Sequence, residues 1–144
     1  MIVYFDTSAL VATYVTDACT PKALKARKQA DAIATSLLAY AETLAALSTL
    51  TRRRALTRAQ REKAESRFLT DWTEFHRVRF EARLLPDVRR MLRHHPLKGA
   101  DAVHLASAYL VASRCAAAGV DLTFACDDRT LAAAAVDEGL TLAW

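Results

Sequence analysis

A short apolar run that ends in an acid opens the chain and constrains its fold most strongly. Residues Ile2–Phe5 are β-branched or aromatic, which is typical of a strand buried on both faces. The run stops at Asp6, and Thr7 and Ser8 are residue types that cap the N-terminus of a helix. Ligand sites in open parallel sheets collect at the carboxyl ends of strands. We therefore expect Asp6 to lie at a ligand-binding edge of such a sheet.

Length and composition predict a single domain over residues 1–144. With 53% hydrophobic and 25% charged residues, the chain has enough apolar surface for one core, and its 3 glycines and 3 prolines argue against linkers. The apolar run after Met1 is too short for a signal peptide, and polar residues interrupt the Ala-rich stretch 102–118, so no membrane contact is expected. The 3 scattered cysteines predict reduced thiols in the cytoplasm.

Positive charge is concentrated in the middle of the chain. From Arg52 to Lys98 there are 14 Lys or Arg and 6 Asp or Glu, a net charge of +8, whereas the whole chain carries +4. The acidic remainder favours a site where acids gather, and the basic middle favours a face that meets a polyanion. A solvated surface explains the same distribution without any function.

Alternating strands and helices predict a mostly parallel sheet covered on both faces. Thr57, with Gln60 three residues later, predicts a capped helix start. The alternation in residues 77–81 predicts a strand at a sheet edge. The predicted strands are 2–5, 31–35, 77–81, 122–126 and a short last one near Thr141.

Glu42 lies on the apolar side of the helix that follows the second strand. Burying a lone carboxylate costs several kcal/mol, so a glutamate is not expected there without compensation. Either Glu42 faces a partner, a metal or a water-filled cleft, or the predicted helix phase is wrong by one position. A purely structural role is the simpler interpretation for a single glutamate.

Two further elements also supply acids. Asp101 lies in the first turn of the most apolar helix, where an acid complements the helix dipole by a few tenths of a kcal/mol. His104 follows three residues later, and we interpret it as a partner of Asp101 or a core residue. The buried strand 122–126 ends, like the first, in acids, namely Asp127 and Asp128.

Taken together, these acids predict a metal site. Acids brought by separate elements to one sheet edge repel one another, and Mg²⁺ or Mn²⁺ relieves that repulsion through oxygen ligands. The sequence has no Cys/His set with zinc spacing, no Gly-rich phosphate loop and no nucleophile elbow. Metal-assisted hydrolysis of a phosphodiester is the chemistry that these residues favour.

Four motifs together resemble the PIN-domain ribonucleases, and among them the VapC-like toxins of bacterial toxin–antitoxin pairs. The block around Asp101 is the most specific of the four. The motifs are Asp6–Leu10, Ala39–Glu42, Leu97–Ala106 and Phe124–Leu131.

The resemblance implies an α/β fold of three α/β/α layers, with a mostly parallel five-stranded sheet in the order 3-2-1-4-5. It implies an endoribonuclease that depends on Mg²⁺ or Mn²⁺. The three core acids of the family correspond to Asp6, Glu42 and Asp101. The family's fourth catalytic acid is an aspartate three residues before a leucine, which implies Asp128. The metal ligands implied are Asp6, Asp101 and Asp128, with Asp127 as a possible outer-sphere acid.

The resemblance also implies partners. These are an RNA substrate, a small cognate antitoxin protein and a second copy of the chain in a homodimer. Three arginines at the end of the Glu42 helix are candidates for contacts with the RNA backbone, which carry no sequence information. They are Arg52, Arg53 and Arg54.

Three other functions stay open at this point. One is an RNA-processing nuclease of the same family without a toxin role. Another is a binding module whose acids only receive basic groups of a partner. The run Phe5–Leu10 also resembles the start of haloacid-dehalogenase-type hydrolases, but the downstream lysine motif of those enzymes is not found in this sequence.

Overall fold

In the computed structural model, which describes residues 1–144, four strands alternate with helices. The strands are β1 Ile2–Phe5, β2 Ala32–Ser36, β3 His76–Val78 and β4 Leu122–Ala125. The helices are α1 Thr7–Val11, α2 Thr20–Gln29, α3 Leu38–Arg52, α4 Arg58–Trp72, α5 Leu85–His94, α6 Gly99–Ala117 and α7 Arg129–Asp137, with a 3₁₀ turn at Ala82–Leu84 before α5.

All four strands are parallel and lie in the order β3-β2-β1-β4. This order confirms the prediction for the first four strands, but the predicted fifth strand is wrong. Near Thr141 the chain forms only an isolated parallel bridge between Phe124 and Leu142. Hydrogen bonds from Phe124 N to Thr141 O and from Ala143 N to Phe124 O flank that bridge, so the segment takes the place of a strand without extending into one.

Side chains of β1 alternate between two cores, one on each face of the sheet. Val3 and Phe5 pack with α1 to α4, whereas Tyr4 packs with α5, α6 and α7. A strand whose successive side chains are all buried must be covered on both faces. The three-layer α/β/α prediction is therefore confirmed.

Local capping explains where several helices begin. Asp6, not Thr7 or Ser8, is the N-cap of α1, since its carboxylate accepts a 2.8 Å bond from the backbone N–H of Ala9. At α4 the predicted pair is present: Gln60 N donates to Thr57 Oγ1, and Thr57 N donates to Gln60 Oε1. No helix is both long enough and apolar enough to span a bilayer.

Candidate active site

A cleft of about 720 Å³ opens at the carboxyl edge of the sheet, beside the ends of β1 and β4. Helices α1 and α3 and the first turns of α6 also contribute to its walls. The predicted acids reach this cleft from four parts of the fold, and Asp127 and Asp128 both follow β4. The acids that line it include Asp6, Glu42, Asp101, Asp127 and Asp128.

Asp6 is the most buried of these acids, with 5% of its surface exposed. Ser8 Oγ lies 2.9 Å from Asp6 Oδ1 and 2.8 Å from Oδ2, and the N–H of Ala9 donates to Oδ1. Burial raises the pKa of Asp6, although the bonds from Ala9 and Ser8 act in the opposite direction. The carboxylate is thus fixed in position, but its negative charge is not fully compensated by the chain.

Glu42 is held by two side chains from the other elements of the cleft. Its Oε2 accepts a 2.6 Å bond from Thr7 Oγ1 and lies 2.8 Å from His104 Nε2. Glu42 Oε1 has no hydrogen-bond partner within the chain. One oxygen therefore fixes the side chain, and the other is free at the cleft.

A buried tyrosine contacts the ring of His104. Tyr4 OH lies 3.2 Å from His104 Nδ1, and burial raises the pKa of Tyr4 well above its ordinary value, so the phenol keeps its proton. The other ring nitrogen, His104 Nε2, lies 2.8 Å from Glu42 Oε2 and 3.0 Å from Thr7 Oγ1. Of the two predictions for His104, the one that places it in the core is confirmed, since 2% of its surface is exposed. The predicted bond to Asp101 is wrong, because the histidine bonds Glu42.

The pKa of Glu42 moves opposite to that of Asp6. Burial raises it, but hydrogen bonds from His104 and Thr7 outweigh that effect, and the net pKa lies below the ordinary value. Of the two interpretations of Glu42, the one with a cleft is confirmed by its place in the cleft wall. Its position on the apolar side of α3 is compensated by His104 and Thr7.

Asp101 and Asp128 each bind the start of their own helix with one oxygen. Asp101 Oδ2 accepts from Lys98 N at 3.3 Å, and Asp128 Oδ1 accepts from Leu131 N at 2.8 Å. In each case the other carboxylate oxygen has no hydrogen-bond partner within the chain. Both residues thus combine a capping contact with an oxygen that is available to a ligand.

Asp127 differs from Asp128 in its contacts. Its backbone N–H donates to Ser8 Oγ at 3.2 Å, which links the end of β4 to the start of α1. Burial, together with the nearby Asp127 carboxylate, raises the pKa of the Cys19 thiol to about 12. Cys19 itself does not line the cleft.

These acids match a hard divalent cation in chemistry, since carboxylate oxygens are the ligands that Mg²⁺ and Mn²⁺ take. In their present positions, no three Asp, Glu, His or Cys side chains converge closely enough to hold a metal ion. Glu42, Asp101 and Asp128 nevertheless line one cleft together with Asp6. Each of the three has one carboxylate oxygen without a hydrogen-bond partner.

The arginines predicted to contact RNA lie at the end of α3, between Leu50 and Ala55, which both line the cleft. Arg52 is the last residue of α3, Arg53 follows it, and Arg54 has a φ of 59° in the turn after the helix. All three are exposed, and none lines the cleft. Their contact with RNA stays a prediction.

Four residues that support the site were not identified as functional from the sequence. Thr7 and Ser8 were interpreted as helix caps, Tyr4 as a strand residue and His104 as a core residue or a partner of Asp101. A hydroxyl next to a buried acid at a strand end is a usable signal, because such an acid needs local donors. The Tyr4–His104 pair has no such signal, since 100 residues separate its members.

Comparison with known protein families identifies this architecture. The family model of the PIN domain matches residues 3–136. The chain belongs to the PIN domain family. Its match covers all the acids of the cleft, from Asp6 to Asp128, and the haloacid-dehalogenase alternative is set aside.

Individual relatives of this PIN domain come from Mycobacterium tuberculosis. It is 37% identical over 110 residues to Ribonuclease VapC45 of strain CDC 1551 / Oshkosh, and equally to Ribonuclease VapC49 of strain ATCC 25618 / H37Rv, with 76% of each chain covered. Among solved structures, it resembles M. tuberculosis VapC20, described as a Sarcin-Ricin loop cleaving toxin. That likeness has a TM-score of 0.61 at 20% identity and covers 92% of this chain and 94% of the other.

Proposed function

We propose that this PIN domain is a metal-dependent endoribonuclease and acts as the toxin of a toxin–antitoxin pair. The observation that carries the proposal is the delivery of Asp6, Glu42, Asp101 and Asp128 by four separate elements to one cleft. A phosphodiester repels such a group of carboxylates, so RNA cleavage there needs a cation between enzyme and substrate. The names of the curated relatives, both ribonucleases, support the same activity.

The burial of Asp6 among neutral donors supports the need for a cation. Its burial raises the cost of the negative charge, and the only donors within reach of its oxygens are neutral groups of Ser8 and Ala9. A nearby cation lowers that cost by direct Coulomb attraction. In the proposal, Asp6, Asp101 and Asp128 hold Mg²⁺ or Mn²⁺, which would supply Lewis acidity toward water and phosphate when bound.

Glu42 has a different task in the proposal. Its lowered pKa keeps it ionised, and Oε1 is free to accept a hydrogen bond or a proton from a water in the cleft. Thr7 and His104 hold Oε2, so they orient the carboxylate without reaching the substrate. Asp127, beside these groups, is an outer-sphere acid that acts through water.

A toxin role requires partners beyond RNA. We propose that a small cognate antitoxin inhibits the nuclease, that the chain forms a homodimer, and that it acts in the cytoplasm. The toxin function named for the VapC20 structure supports the role at the level of the fold. Free cysteines at positions 19, 115 and 126 suit a reducing compartment.

Cleavage of RNA by the purified protein tests the activity. We expect endonucleolytic cleavage with added Mg²⁺ or Mn²⁺, none in EDTA, and recovery when the metal is restored in excess. Asp6→Asn should abolish cleavage, and the exposed Asp121→Asn should not. Cleavage that persists in EDTA or in Asp6→Asn would refute the metal-site proposal and favour a partner-binding module.

Growth after induced expression tests the toxin role. The parent chain should arrest growth, Asp6→Asn should not, and co-expression of the small protein encoded next to the gene should restore growth. A processing nuclease without a toxin role would cleave RNA in vitro but leave growth unaffected. This result separates the two nuclease functions.

A further inference from the structure

A second concave surface lies at the uncovered edge of the sheet. β3 is the end strand, and only its β2 side is paired. Hollows of about 1250 Å³ and 600 Å³ lie against it, and both are lined by residues of the β3 segment, so they form one continuous surface. We call this surface the edge groove. It is defined by His76, Arg77, Arg79, Phe80, Arg83 and Arg114.

Helix α6 runs along the floor of the edge groove. Gly99 and Val103 line the first hollow, and Val111, Arg114 and Ala118 line the second. These positions recur every three to eight residues on one side of the helix, whose 19 residues span about 28 Å. The edge groove is therefore long enough for an extended chain of several nucleotides.

The edge groove adjoins the active-site cleft. Ala41 and Ala100 line its first hollow, whereas the next residue in each case, Glu42 or Asp101, lines the cleft. Consecutive residues of α3, and of α6, thus line the two surfaces. A polymer that leaves the cleft across the first turns of these helices enters the edge groove.

Charge in the edge groove is strongly positive. Arg77, Arg79 and Arg114 have no carboxylate partner, and the one acid present, Glu81, lies 3.2 Å from Arg83. Three unpaired guanidinium groups on a surface that joins an acidic cleft favour a polyanion as occupant. The same arginines disfavour a second copy of the chain, because pairing between two β3 edges would oppose like charges.

An exposed aromatic side chain narrows the class of polyanion. Phe80 is 53% exposed in the first hollow, although large apolar side chains gain free energy when they are buried. Arg77, which lines the same hollow, has its guanidinium carbon 5.9 Å from the centre of the ring of Trp72, a buried residue behind the groove. An exposed aromatic face among arginines is typical of surfaces that stack the bases and bind the phosphates of single strands.

We propose that the edge groove binds a single-stranded RNA segment that continues from the bond to be cleaved. Phe80 stacks a base, and Arg77, Arg79 and Arg114 contact phosphates. This inference rests on the proposed ribonuclease function, and it assigns to β3 and α6 the part of the substrate beyond the cleft.

Binding measured without cleavage tests the edge groove. In the Asp6→Asn protein, the affinity for a fluorescent single-stranded RNA of about ten nucleotides is followed by anisotropy at several salt concentrations. Arg79→Ala and Arg114→Ala should each weaken binding about fivefold near 0.1 M salt, and should reduce the slope of log affinity against log salt by about 0.7. Arg93→Ala is the matched control, since Arg93 is exposed on α5 outside the groove.

Substitutions of Phe80 separate stacking from simple apolar contact. Phe80→Leu should weaken RNA binding about fivefold or more, because base stacking on an aromatic ring contributes about 1–3 kcal/mol. Phe80→Trp should restore the affinity, since it keeps an aromatic face. Equal affinity of the Leu and Trp variants for RNA would show that Phe80 does not stack a base.

Three results would overturn the inference. Arginine variants of the groove could bind RNA as tightly as the Arg93→Ala control. Polyglutamate could displace the RNA at equal charge concentration, which would indicate an acidic polypeptide as the occupant. Charge-reversing Arg79→Glu could instead change the molecular mass in sedimentation, which would indicate an interface between copies.

The inference and the proposed function fail separately. If the parent cleaves RNA but the groove variants bind it normally, only the edge-groove inference is wrong. If the parent cleaves no RNA, and Asp6→Asn protein still binds it through the edge groove, only the ribonuclease proposal is wrong.

Discussion

The two inner acids of the cleft and the two outer acids are held in different ways. Asp6 and Glu42, the inner acids, each have more than one hydrogen-bond partner and a shifted pKa. The partners of Asp6 are Ser8 and Ala9 of the helix that it caps, whereas those of Glu42 are Thr7 and His104 of other elements. Asp101 and Asp128, the outer acids, bind only the first turn of their own helices. Glu42 is therefore fixed by tertiary contacts, whereas Asp6, like the outer acids, is fixed at the start of a helix. Asp6 differs from the outer acids in its burial, with 5% of its surface exposed.

This difference separates function from stability within one cleft. Burial of Asp6 raises its pKa, so its charge opposes folding, and a change that removes that charge should not destabilise the protein. Asp6 and Asp128 each cap the start of a helix, so a substitution that removes the cap should have a structural cost. Substitutions that remove only the charge and substitutions that also remove the cap should thus differ in their effect on stability.

The largest effect is expected at Asp6. Asp6→Asn should lower RNA cleavage by about 10³-fold, because a charged group at the reacting centre is lost. Asparagine is as good an N-cap as aspartate and carries no buried charge, so the midpoint of thermal unfolding should stay equal or rise. Cleavage rates and calorimetry of Asp6→Asn, with Asp121→Asn as control, check both parts. A lower midpoint would show that the inner acid stabilises the fold.

Substitutions of Asp128 test the outer half. Asp128→Asn and Asp128→Ala should both lower cleavage by about 10²-fold, but only the alanine variant should lose stability, by about 1 kcal/mol, because it lacks the cap to Leu131. Urea unfolding and cleavage assays measure the two effects. Asp127→Asn is the comparison: a larger loss of activity there than in Asp128→Asn would make Asp127 the fourth acid.

Substitution of the residues that orient Glu42 should have a smaller effect on cleavage. His104→Gln should lower cleavage roughly tenfold to a hundredfold, in the range seen when residues behind a functional group are lost. Tyr4→Phe removes only the hydroxyl that contacts His104 Nδ1, so it should lower cleavage less. The loss should lie in kcat with KM nearly unchanged, because neither residue reaches the substrate. An increase in KM alone would contradict an orienting role.

Opposite pKa shifts predict opposite effects of pH on stability. Glu42 has a lowered pKa in the fold, so its contribution is present above its unfolded pKa and is lost as pH falls through the folded one. For Asp6 the folded pKa is raised, so its ionisation costs stability as pH rises from its unfolded pKa through the folded one. Relative to the parent, the free energy of unfolding of Glu42→Gln should fall from about pH 3 to about pH 7. That of Asp6→Asn should rise over the same range.

Much of the framework follows from local signals in the sequence. The buried runs before Asp6 and Asp127 predict parallel strands, and the order of the first four strands is confirmed. The predicted fifth strand near Thr141 is a single bridge, because only the backbone of Phe124 pairs with it. Strand length depends on the neighbouring strand, which the local sequence does not encode.

The site is predicted less completely than the fold. Strand ends and the helix phase bring Asp6 and Glu42 to one cleft, as expected. The bond between His104 and Glu42 joins residues 62 positions apart, on helices that pack against opposite faces of the sheet. Such partners follow from the assembled layers, not from any spacing along the chain.

The contact between Asp128 and Leu131 couples the cleft to a helix end. Asp128 Oδ1 holds the amide of Leu131 in the first turn of α7. An occupant that draws this carboxylate away exposes the amide, and by reciprocity a stronger cap weakens the occupant's affinity. Hydrogen exchange at one backbone position, Leu131, would then report occupancy of the cleft without any substrate.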